Sequence, residues 1–105
     1  MGKVTEELIK KLEELIQLLD SQNQSHWIQW FSRCHKILVN SDYSGIPRIL
    51  GAYGGMGSFN DLVLTKKLQN GNTSLCPDEN DILDKLRSSI GDKANYIKQN
   101  HEIDS

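Results

Sequence analysis

Cysteine is scarce in this chain. Only Cys34 and Cys76 occur among 105 residues, too few for the several bridges that staple small secreted domains. Both are expected as free thiols in a reducing compartment, with Cys34 serving as a small hydrophobe on a helix. Proline is limited to Pro47 and Pro77, so long stretches are free of the residue that breaks helices most strongly. No apolar run is long enough for a membrane span or a signal peptide, and the opening MGKVTEELIKKLEEL sets acids within its apolar pattern. These absences predict a cytoplasmic protein with no membrane partner.

A strong charge of one sign is lacking too, the formal net charge being −2. Its distribution is uneven. Residues 1–22 carry three bases against five acids and residues 77–105 four against seven, whereas residues 23–76 carry five bases against two acids. Those five bases are spread out along the chain, which argues against a nucleic-acid stripe, where Lys and Arg gather on one face to neutralise several phosphates. With 37% hydrophobic and 25% charged residues, the chain reads as one globular domain over residues 1–105, frayed at 1–4 and 100–105.

The apolar residues present repeat at helical spacing. Leu8, Ile9, Leu12, Leu15, Ile16 and Leu19 predict a helix over 5–19 capped by Thr5. Ser25 caps a second, to about Val39, whose Trp27, Trp30 and Phe31 make it the expected core helix. Pro47 opens a short third helix through Tyr53. Leu62 to Leu64 is expected as a short strand or extended segment, and 69–74 as a turn. Asp78 caps a last helix with a stripe of Ile82, Leu83, Leu86, Ile90, Ala94 and Ile97 across Gly91. The fold class expected is mainly α, a small four-helix domain around Leu12, Ile16, Trp27, Phe31, Leu38, Leu83 and Leu86, with an ordered glycine-rich loop and little or no strand.

Catalytic machinery does not emerge. The glycines at 51, 54, 55 and 57 lack the Gly-Lys-Ser/Thr ending of a phosphate loop. His26, His35, His101, Cys34 and Cys76 have no zinc-ligand spacing. Adjacent Cys34 and His35 point roughly 100° apart on a helix, unsuited to a nucleophile and its base. Asp78, Glu79, Asp81 and Asp84 lack the glycine and distal glutamate of a calcium loop. They suit the positive end of a helix, or an acidic edge facing a basic partner. The expectation is therefore a binding protein without enzymatic activity, cofactor or metal.

The segment Ala52-Tyr-Gly-Gly-Met-Gly-Ser-Phe-Asn-Asp-Leu-Val-Leu64, with His26-Trp27 and Trp30 upstream, resembles the signature of a small bacterial family of uncharacterised proteins. The similarity extends from residue 5 to about 90. Proteins of this kind resemble the immunity members of bacterial toxin–immunity pairs, including contact-dependent growth inhibition. That resemblance implies a cognate toxin domain as partner, with a ribonuclease preferred, bound so as to block its cleft and with no nucleic acid involved. The expected contacts are Asp78, Glu79, Asp81 and Asp84 for charge, and Tyr53, Met56 and Phe59 for apolar area if the glycine loop projects them outward. The competing readings are a small-ligand protein or enzyme using the Gly51–Asp61 loop through Tyr53, Asn60 and Asp61, and an adaptor binding through exposed Trp27, Trp30 or Phe59.

Overall fold

A computed structural model describes residues 2–54 and 58–100. Four helices carry the fold: α1 Lys3–Ser21, α2 Ser25–Val39, α3 Gly45–Gly51 and α4 Pro77–Asn100, with a 3-10 turn at Phe59–Asp61 and a hairpin of β1 Thr65–Lys67 and β2 Thr73–Leu75. The domain is mainly α, with a single small sheet among the described residues.

Helix α1 packs on both α2 and α4, and α3 closes against α2 and α4. Leu8, Leu12, Leu15 and Leu19 line the face of α1 turned inward and are fully buried. They meet Phe31, Cys34 and Leu38 of α2, Ile46 and Ile49 of α3, and Leu83, Leu86, Ile90, Ala94 and Ile97 of α4 in one core. Two surface pairs bridge the helices: Glu13 to His35 at 2.8 Å and Glu7 to Lys93 at 3.6 Å.

Several boundaries differ from expectation. Helix α1 begins at Lys3 with Gly2 at its cap, so residues 3 and 4 are helical and Thr5 is a buried residue inside the first turn. Ser25 is the first residue of α2 rather than its cap, and no side chain caps that end. Helix α3 starts at Gly45, two residues before Pro47. A Cβ on Gly45 would lie 3.0 Å from Leu38, so glycine lets α3 approach α2 closely. Helix α4 starts at Pro77, which places Asp78 within its first turn and not at its cap. Ile16 and Trp27, expected in the core, pack on its rim and are only partly buried.

The strands also lie later than expected. Leu62–Leu64 is extended but unassigned to a strand, and Thr73 and Ser74, read as turn, belong to β2. The antiparallel register sets Thr65 against Leu75 and Lys67 against Thr73. Gly71, at φ 86°, closes the hairpin in the left-handed region. Its N–H donates to Leu68 O at 3.0 Å and Leu68 N–H donates to Asn72 O at 2.7 Å, a turn in which glycine carries no Cβ penalty.

Candidate functional site

The two ends of the glycine segment are held together by the N–H of Phe59, which donates to Ala52 O at 2.9 Å. Gly55, Met56 and Gly57 fall outside the described residues, so the expected contact at Met56 does too. Phe59 does not project outward. It is fully buried, with ring centroids 4.6 Å from Phe31, 5.5 Å from Trp27 and 5.6 Å from Tyr53. A phenyl ring gains far more from leaving water among other rings than from exposure on a loop. Tyr53 is half-buried, and its hydroxyl donates to Arg87 O at 2.7 Å. Burial disfavours the phenolate and raises the pKa of the hydroxyl, opposed by the charge of Arg87. Phe59 is therefore an internal strut and not a ring projected outward, whereas Tyr53 stays half-buried and tied to α4.

Helix α4 supplies the other half of this anchorage. Arg87 donates from Nη1 to Phe59 O at 2.7 Å and to Leu62 O at 3.1 Å, and also pairs with Asp84. Its guanidinium lies 5.6 Å from the Phe59 ring centroid. Asn80 receives the Leu64 N–H at 2.7 Å and donates to Leu64 O at 2.9 Å. One amide side chain thus imitates a neighbouring strand. The roles of Arg87 and Asn80 are not legible in the sequence, because their partners are backbone atoms 16 to 28 residues away and no local pattern announces such a bond.

The polar groups of the small-ligand reading are largely occupied within the protein. Tyr53 is bonded as above, and Asn60 Nδ2 donates to Tyr53 O at 3.3 Å. Beside them runs a groove of about 390 Å³ whose walls include Leu50, Asn60, Ser88 and Asp92. Among the described residues, no group of three His, Cys, Asp or Glu is placed to hold a metal ion. Cys34 is fully buried, and burial pushes its thiol up to about 11 against an opposing pull from Arg48. His35 turns instead to Glu13 on α1.

The acidic edge lies at the start of α4, with Asp78, Asp81 and Asp84 exposed and Glu79 half-buried. It is less negative than the sequence suggests, since Asp81 pairs with Lys85 at 3.1 Å and Asp84 with Arg87. Next to it in the chain lies an apolar surface that the sequence did not single out. Val63 is 53% exposed, Leu75 61% and Ile82 49%, and Leu68 joins them on the hairpin. The available signal was alternation: Leu64 and Cys76 face the core while Val63 and Leu75 face out.

No curated protein and no solved structure matches the chain. Residues 20–73 match the family described as a domain of unknown function (DUF6966). That span takes in α2, α3, the glycine segment and most of the hairpin, and it leaves out the acids of α4. With just over half of its residues inside the match, this chain belongs to the DUF6966 family.

Proposed function

We propose that this is a binding protein of the immunity type, which docks on a cognate toxin domain and blocks its cleft without chemical change to either partner. The observation that carries the reading is the exposed surface of the hairpin and the first turns of α4. Among the described residues, four of the six exposed large hydrophobic side chains, Val63, Leu68, Leu75 and Ile82, fall there, beside Asp78 and Glu79. Apolar side chains flanked by charge are the usual composition of a protein interface. A ribonuclease is the favoured target, because a cleft built to hold phosphate is basic and would attract the acids of α4.

The test is titration against the protein encoded beside this gene. A stoichiometric complex that abolishes the neighbour's toxic activity is expected. Leu75→Ser should weaken it at least about tenfold, the loss of one buried anchor. Reversal of Glu79 and Asp81 to lysine should slow association far more at low salt than at high salt, since exposed charges are screened over about 10 Å at 0.1 M. Unchanged affinity in both variants, or no complex with any neighbouring product, overturns the reading.

A further inference from the structure

Among the described residues, four cations of α1 and α4 have carboxylate partners: Arg87 has Asp84, Lys85 has Asp81, Lys93 has Glu7 and Lys11 has Glu14. Arg33 and Arg48 have none among the described residues. The fold nevertheless brings them together. His26, Gln29, Trp30 and Arg33 recur along one edge of α2, and α3 lays Arg48 against that edge, so that the five side chains enclose a concavity of about 240 Å³.

Arg48 is held firmly in this place. Its guanidinium stands 4.5 Å from the Trp30 ring centroid, and the Trp30 indole N–H donates to the Arg48 carbonyl at 3.1 Å. The Nε of Arg48 is buried and has no hydrogen-bond partner among the described residues, although the guanidinium charge acts on the neighbouring Cys34 thiol. Among the described residues, no carboxylate lines the concavity. Asp42, the lone acid between residues 21 and 60, lines the neighbouring depression with Arg33 but forms no ion pair with it, and instead accepts the N–H of Ser44 at 2.9 Å.

Two arginines lining one concavity without an acid among the described residues, one of them stacked on an aromatic ring, suit the recognition of carboxylate and phosphate oxygens. We infer that the α2–α3 concavity is an oxyanion-binding site for a single carboxylate or phosphate group, with Arg33 and Arg48 as charge partners and Gln29 and His26 at its rim. It is formed by different elements from the hairpin surface and does not depend on the immunity reading.

The experiment is an NMR titration of the whole chain with sodium phosphate and, separately, sodium acetate, at ionic strength held constant with sodium chloride. The Trp30 indole N–H and Arg48 Nε–H signals should move and saturate. Arg33→Gln, a change at an exposed position whose fold can be checked by circular dichroism, should weaken the apparent affinity at least about tenfold, as expected for a charge-assisted contact. Saturation by phosphate alone assigns a phosphoryl ligand, and saturation by acetate assigns a carboxylate. Shifts that chloride reproduces, no saturation with either anion, or titrations unchanged in Arg33→Gln would overturn the inference.

Discussion

Cys34 places an ionisable thiol where water does not reach, and the consequence is a sensitivity to alkali. Its folded-state value is raised from 9.0 to about 11, chiefly by burial. Tyr53 is raised as well, for the same first reason. The unfolded chain therefore releases these protons first as pH rises. Stability owed to the neutral thiol is complete below pH 9 and is lost between 9 and about 11. Urea unfolding midpoints should be level up to pH 9 and then fall, and Cys34→Ala should flatten that fall while leaving the part due to Tyr53. An equal slope in the variant would place the sensitivity elsewhere. Phe59 illustrates what was hidden from sequence at this scale. A ring among glycines has no periodic neighbours to reveal which way it turns, and only Phe31, Trp27 and Arg87, distant in the chain, decide that it turns inward.

Among the elements, glycine is missing where the backbone favours it and present where a helix does not. Ser41 follows α2 at φ 59°, in the left-handed region that costs an L side chain energy. Its N–H donates to Leu38 O at 2.9 Å, so the helix end depends on that torsion. Gly91, in contrast, sits inside α4, where a Cβ would meet the Tyr53 ring at 3.6 Å, an ordinary contact. Ser41→Gly should stabilise the fold by about 0.5–1 kcal/mol, and Gly91→Ala by about 1 kcal/mol. Thermal or urea denaturation reads both, and a loss of stability in Gly91→Ala would show that Tyr53 cannot accommodate the methyl group. The helices themselves were legible because Leu8 to Leu19 and Leu83 to Ile97 repeat at helical spacing. The strands were not, since Thr65–Lys67 and Thr73–Leu75 are three residues each. Their pairing depends on Gly71 and on the grip of Asn80 on Leu64, neither of which alternation of apolar residues encodes.

At the scale of the whole molecule, the segment matched to the family spans 20–73, yet its core is completed from outside that span. Leu8, Leu12, Leu15, Leu83, Leu86 and Ile90 come from α1 and α4. The acidic edge was legible as composition, but its partial neutralisation by Lys85 and Arg87 required the helix geometry. The basic concavity was not legible at all, because Arg33 and Arg48 stand on different helices. The matched segment should not fold alone. A fragment of residues 20–73 should show no cooperative unfolding and should bind a hydrophobic dye, and a cooperative transition in it would contradict the shared core.

The packing of α1 against α4 also sets an order of events on the ribosome. The leucines of α1 are synthesised first and their cover on α4 last, with more than half of the chain between them. At about 5–20 residues per second, that apolar stripe waits several seconds for its partner. During that interval α2 is its available shelter, so the nascent protein should pass through an α1–α2 hairpin with one flank of α1 bare, open to chaperone capture until α4 emerges.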